Sequence, residues 1–254
     1  MKIGFCFLIY DIINHEELWD LFFKKVDTSK YGIYIHYKIN KKLKFLESYK
    51  IKENIPTIYG DISISRAFNL LFKTAYEDNC HKMIILTNSC IPLKSFDYVY
   101  DFLTKDNYCH FNMSDHSECF PRCDELLKYY LRDIIQKSSG WFILNRKVCN
   151  LVINYPGFEK EFKNIYAADE HYYITLIYAK GLTNEIIQSH NPLTSTTFVN
   201  WYGSEYKYPS SSGLKNYSSI TEEELKYLVD SACLFARKFN VECNLDYLKK
   251  ILFN

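Results

Sequence analysis

Two short segments carry side chains whose types and spacing suit proton transfer beside an anion. In Ala168-Asp169-Glu170-His171 an amphipathic helix begins: Tyr173, Leu176 and Ile177 form its apolar stripe, Gly181 its stop, and Asp169 reads as the N-cap. Unpaired amides and the dipole of a first helical turn favour a charged carboxylate, so Glu170 is placed as a base held ionised and aimed. An acidic first turn also stabilises its own helix with no further role, and this segment alone does not choose between the two. Arg237-Lys238 follow the apolar run 232–236 and precede Phe239, on a backbone that packing would anchor. A guanidinium fork and a mobile ammonium suit phosphate oxygens. The alternative is a pair of cations reaching for solvent at an element end.

No Asp-x-Asp occurs, the pattern that would hold a divalent cation against a diphosphate, so side-chain cations would have to carry that charge. Strand 82–87 leads instead into Ser89-Cys90-Ile91-Pro92-Leu93. There is no Walker loop, G-x-G-x-x-G or G-x-S-x-G. Cys109, His110, Asp115, His116, Cys119 and Cys123 cluster without the spacings that mark zinc. Nine cysteines, an odd count with no paired spacing, imply free thiols in a reducing compartment. Trp141-Phe142 read as core, whereas Trp201 in a polar loop is either core or an aromatic face for a sugar ring.

With 31 basic and 30 acidic residues and no basic block, nothing favours nucleic acid as a partner. The apolar run 3–10 is broken by Gly4, is too short to span a bilayer and has no cleavage site behind it. The chain is therefore expected to be soluble, unsecreted and cytoplasmic, in the host cytoplasm should its source be a virus.

Strand-length apolar runs alternate with segments of helical period. Strands are expected at 2–10, 32–36, 55–58, 82–87, 108–113 and 141–144, and helices at 15–25, 62–76, 96–103, 125–135, 147–153, 226–229 and 245–252. The stretch 189–219 is polar and irregular, a length that points to function in a compact domain. The alternation predicts an α/β fold on a mostly parallel central sheet flanked by helices, in one domain spanning residues 1–254.

Lys2-Ile3-Gly4-Phe5, Ile33-Tyr34-Ile35-His36, Ser89-Cys90-Ile91-Pro92-Leu93-Lys94, Ser139-Gly140-Trp141-Phe142-Ile143-Leu144-Asn145-Arg146, Asp169-Glu170-His171 with Thr175, and Phe235-Ala236-Arg237-Lys238-Phe239 occur in an order that resembles the Core-2/I-branching β-1,6-N-acetylglucosaminyltransferase family and its peptide O-xylosyltransferase relatives. The resemblance implies a GT-A-like fold and an inverting, metal-independent glycosyltransferase. It would move a sugar, N-acetylglucosamine first, from a UDP-sugar to a hydroxyl of a glycan or glycoconjugate. UDP-sugar is then a co-substrate and no cofactor is needed. Glu170 matches the catalytic base, and Arg237 and Lys238 the cations on the donor diphosphate. His36 and Ser63 fall on the donor nucleoside side, and Trp201, Trp141 and Asp169 on the acceptor side. Two positions depart from the family pattern: Lys38 stands where the family often has Asp, and Gly140 where relatives carry a carboxylate or an amide. They favour a second reading, a catalytically silent relative that binds a glycan or nucleotide sugar.

Overall fold

The computed structural model describes every residue except Glu205 and Asn254. Its elements run β1 (Ile3–Ile9), α1 (Glu16–Phe23), β2 (Tyr31–Tyr37), α2 (Ser63–Glu77), β3 (Lys82–Thr87), β4 (Ile91–Pro92), α3 (Phe96–Thr104), β5 (Cys109–Asn112), β6 (Ile143–Asn145), α4 (Arg146–Ile153), α5 (Phe158–Phe162), α6 (Tyr172–Ala179), β7 (Ile186–Ser189), β8 (Thr197–Val199), α7 (Glu222–Asp230), β9 (Phe235–Arg237) and α8 (Asp246–Phe253), with short 3-10 turns between some of them. Among the described residues no helix is long and apolar enough to cross a membrane.

β1, β2 and β3 are buried along nearly their whole length, which is why they read as continuous apolar runs rather than alternating ones. They belong to a sheet of order β2-β1-β3-β6-β5-β7. β1 runs parallel to β2 and β3, and β5 parallel to β7. β6 lies antiparallel between β3 and β5. The α/β sheet is thus largely parallel with one reversed strand. That reversal has a positional consequence. β6 enters the sheet from the edge where β1, β2, β3, β5 and β7 end, so residues 138–142 arrive at the carboxyl ends of the parallel strands, where ligands of open α/β sheets bind.

α2, α4 and α6 bury their apolar residues on one face of this sheet. Trp19, Phe22 and Phe23 of α1 join Phe96 and Val99 of α3 on the other face. A second sheet of order β4-β9-β8 has β9 at its centre, antiparallel to β4 and parallel to β8, under α7 and α8.

Two expected elements do not form. Residues 55–58 are irregular because Pro56 has no N–H and the amides of Ile55 and Ile58 donate to side chains, His36 Nε2 at 3.1 Å and Ser63 Oγ at 2.9 Å. Residues 125–135 form two 3-10 turns, Asp124–Lys128 and Arg132–Ile134, instead of a helix. Leu126 and Ile135 are buried there while Leu127 and Leu131 are exposed, so no continuous apolar stripe holds a longer helix. The stretch 189–219 is irregular as expected, apart from β8 and the end of β7.

α2 approaches β1 closely at Gly4, where a Cβ would stand 3.1 Å from Ala75 Cβ and 3.2 Å from Cys80 Sγ. Gly4→Ala should overpack this contact and destabilise the fold by about 1–3 kcal/mol in a denaturant titration. An unchanged midpoint would show that the helix has room to move.

Candidate functional site

A cleft of about 520 Å³ opens along the carboxyl edge of the main sheet. Lys137, Trp141, Glu170, His190, Trp201 and Tyr202 are among the residues that line it.

The segment before β6 is strapped to the Glu170 turn by backbone and side-chain hydrogen bonds. Ser138 N donates to Glu170 O at 2.9 Å, and Ser139 N to Asn112 O at 2.7 Å. His171 Nδ1 donates to Gln136 O at 3.0 Å, and Gln136 N to Thr175 Oγ1 at 3.0 Å. Burial pushes the His171 imidazole down to about 4, so the ring is neutral and serves as a strut. Asp169 is not the N-cap that the sequence suggested. Ala168–Glu170 form a 3-10 turn that runs into α6 through His171, with no side chain capping either piece. Glu170 N bonds Ala167 O at 2.9 Å and His171 N bonds Ala168 O at 3.1 Å, so the turn does not need the Glu170 side chain as a cap.

The Asp169 and Glu170 side chains have different surroundings. Glu170 Oε2 accepts from Arg122 Nη1 at 3.0 Å, and the Arg122 guanidinium rests 5.2 Å from the Tyr166 ring centroid. Nothing in the sequence marked Arg122, a lone cation in a loop far from Glu170 along the chain. Asp169 packs against Gly140, where a Cβ would lie 3.0 Å from its Oδ2. Burial first, and then the neighbouring Glu170 charge, push its carboxyl up to about 7, against a smaller opposing pull from Arg122.

Arg237 ends the central strand of the second sheet, with Val199 of β8 opposite it. Its guanidinium lies 3.6 Å from the centroid of the Trp141 ring and is only 7% exposed. It does not reach for solvent at an element end. Among the described residues it has no carboxylate partner, and its buried Nε has no hydrogen-bond acceptor. Burial lowers its pKa to about 10, still charged at neutral pH. The nearby Cys90 thiol is pushed up by burial and so supplies no compensating charge. Lys238 is half-buried and also lacks an ion pair among the described residues; burial and then the Arg237 charge lower its pKa. It does not line the cleft.

Trp141 is therefore not only a core residue. It forms the partition between the Glu170 cleft and Arg237. Trp201 also lines the cleft and is 51% exposed. Tyr59, 88% exposed and unmarked in the sequence, stands within electrostatic reach of Asp169 and Glu170 on one side and of Arg237 on the other. His36 and Ser63 lie elsewhere, outside the cleft lining, each holding the 55–58 segment. Buried His36 has its pKa lowered to about 4 and keeps an unpartnered Nδ1. Among the described residues no three potential metal ligands come together, and all nine cysteines are free and buried.

Asp169 links its carboxyl to stability in a defined sense. The folded chain holds a proton that the unfolded chain, with an ordinary carboxyl near 3.8, has already released. Its favourable contribution is present at low pH and is lost as pH rises to about 7. Asp169→Asn should match the wild type in Tm near pH 4 and exceed it at pH 8, by roughly 2–4 °C for each kcal/mol of relieved penalty. Parallel Tm curves for the two proteins would contradict the raised carboxyl.

A family model described as Core-2/I-Branching enzyme matches residues 3–229. The Oryza sativa subsp. japonica protein Glycosyltransferase BC10 is 22% identical over 222 residues, 73% of this chain and 55% of that protein. Beta-1,3-galactosyl-O-glycosyl-glycoprotein beta-1,6-N-acetylglucosaminyltransferase 4 of Mus musculus is 30% identical over 113 residues, 41% of this chain and 25% of that protein. The chain thus spans about half, or less, of the length of these curated relatives. A solved structure of the galactosyltransferase LgtC with donor and acceptor sugar analogs covers 78% of this chain and 76% of its own, at TM-score 0.44 and 12% identity.

Proposed function

We propose, from the premise that this chain belongs to the Core-2/I-branching enzyme family, that it is an inverting glycosyltransferase using a UDP-sugar without a metal. One domain spanning residues 1–254 would hold both half-sites in a GT-A-like arrangement. The observation that carries this reading is Arg237: a buried guanidinium with no counter-ion among the described residues, stacked on the ring that also walls the cleft of Glu170. An unpaired buried cation is costly to the free protein, and an anionic ligand removes that cost.

In this mechanism an acceptor hydroxyl enters the cleft between Trp141 and Trp201 and gives its proton to Glu170. Its oxygen forms the new bond to the anomeric carbon as the bond from that carbon to the UDP oxygen breaks. The electron pair leaves with the diphosphate, where Arg237 and Lys238 stabilise the growing charge. Attack opposite the leaving group turns an α-linked donor into a β-linked product. N-acetylglucosamine is the first donor sugar to try, because the mouse relative carries that sugar in its name. His36 and Ser63 would act on the nucleoside side by shaping the 55–58 segment.

A binding-only relative is the second reading, and the Glu170–Arg122 ion pair is what favours it, because a base held by a guanidinium must share its carboxylate. Release of UDP from UDP-N-acetylglucosamine, UDP-xylose or UDP-glucose separates the two. Glu170→Gln should slow that turnover by about 10²–10⁴-fold while leaving donor binding largely intact. Full activity in this variant would remove Glu170 from the role, and a strict requirement for Mn²⁺ in the same assay would sink the cation mechanism. Arg237→Met should weaken UDP binding by roughly 10- to 100-fold in calorimetry while holding or raising Tm. Undiminished UDP affinity would mean that the diphosphate binds elsewhere.

A further inference from the structure

A glutamate side chain turns about several torsions, so the backbone of the Glu170 turn does not by itself aim the carboxylate. One neighbouring group does. Arg122 Nη1 donates to Glu170 Oε2 at 3.0 Å, and among the described residues no other hydrogen bond reaches either carboxylate oxygen. Oε1 is thereby the oxygen left for a ligand, on a side chain that lines the cleft.

Arg122 is itself held at both ends. Its backbone lies between Cys119 and Cys123, both fully buried, in a turn closed by Cys123 N donating to Cys119 O at 2.9 Å. Its guanidinium rests 5.2 Å from the centroid of the Tyr166 ring. That ring lies against the backbone of Gly60, where a Cβ would stand 2.3 Å from Tyr166 Cε2, and Ala167 N donates to Gly60 O at 2.8 Å. A cation anchored at its backbone and stacked at its head gives the carboxylate bonded to it a defined place.

Stability does not account for the pair. Its two side chains keep 35% and 29% of their surface in water, and ion pairs so exposed add little to a fold. Orientation is another matter, since a displacement of about 1 Å near a reacting group can cost about 10²-fold in rate.

We propose that Arg122 is a positioning residue for the transfer reaction, holding Glu170 Oε2 so that Oε1 meets the attacking hydroxyl. This rests on the functional reading above. It also gives the ion pair the opposite sense from the binding-only reading, because just one of the two oxygens is shared. Arg122 does not line the cleft, so it acts through Glu170 and not on the substrate.

The test is a double-mutant cycle read by UDP release from UDP-N-acetylglucosamine, UDP-xylose or UDP-glucose, with UDP affinity measured by calorimetry on every variant. Arg122→Met should lower kcat about 10- to 100-fold and leave the donor KM and the UDP affinity unchanged. In a Glu170→Gln background the same substitution should cost less than about twofold, because no carboxylate remains to be held. Arg122→Lys keeps a donor and the charge but not the planar stack, and should turn over about three- to tenfold faster than Arg122→Met. An Arg122→Met variant as fast as the wild type or faster, a full further loss in the Glu170→Gln background, a Lys variant no better than Met, or weakened UDP affinity in either would overturn this inference and leave the base assignment standing. Full activity in Glu170→Gln, or no UDP release by the wild type, would overturn the functional reading and this inference with it.

Discussion

The contact between the Arg237 guanidinium and the Trp141 ring organises the candidate site. A guanidinium removed from water is costly unless something replaces its hydration, and the π face does so only in part. Placed on a central strand and without a carboxylate partner among the described residues, Arg237 is a positive charge in a low-dielectric setting, where it acts more strongly on an anion than it would in water.

Trp141 has its position because β6 runs against its neighbours. Had it run parallel, the Ser138–Trp141 segment would meet the amino ends of the strands, far from the cleft. Reversal delivers it to the carboxyl edge, where Ser138 and Gln136 can bond the Glu170 turn and α6. Glu170 and Arg237 therefore come from distant parts of the chain and are held to the same short segment. α6, buried on nearly every face, gives that arrangement a stiff support.

The carboxyl pair shows how one local sequence is divided by its surroundings. Asp169 and Glu170 are neighbours in the same turn, yet a loop cation takes one and a glycine makes room for the other. A side chain at position 140 would press on Oδ2, so the missing Cβ sets where Asp169 can lie. The departure from the family pattern at Gly140 thus has a structural counterpart, while that at Lys38 has none beyond its approach to the Tyr10 ring at 5.6 Å.

Much of the fold was legible in the chain because its signals are local. The buried runs of β1, β2 and β3 and the periodic faces of α1, α2 and α3 show themselves at the spacing of a single element, whereas α6, expected to be amphipathic, is buried from Tyr172 through Ile177. Glu170, Arg237 and Trp201 were likewise visible as residue types in suggestive places. Arg122, Tyr59 and the surroundings of Asp169 were not, nor was the loss of the 125–135 helix. Each depends on what stands opposite after folding: Tyr166 under Arg122, Gly140 beside Asp169, the exposed sides of Leu127 and Leu131. Residue type and period determine which elements form, since those act over one or two turns. Which carboxyl keeps a counter-ion and which cation goes without is decided only by tertiary contact, because charge and solvation act through space rather than along the chain.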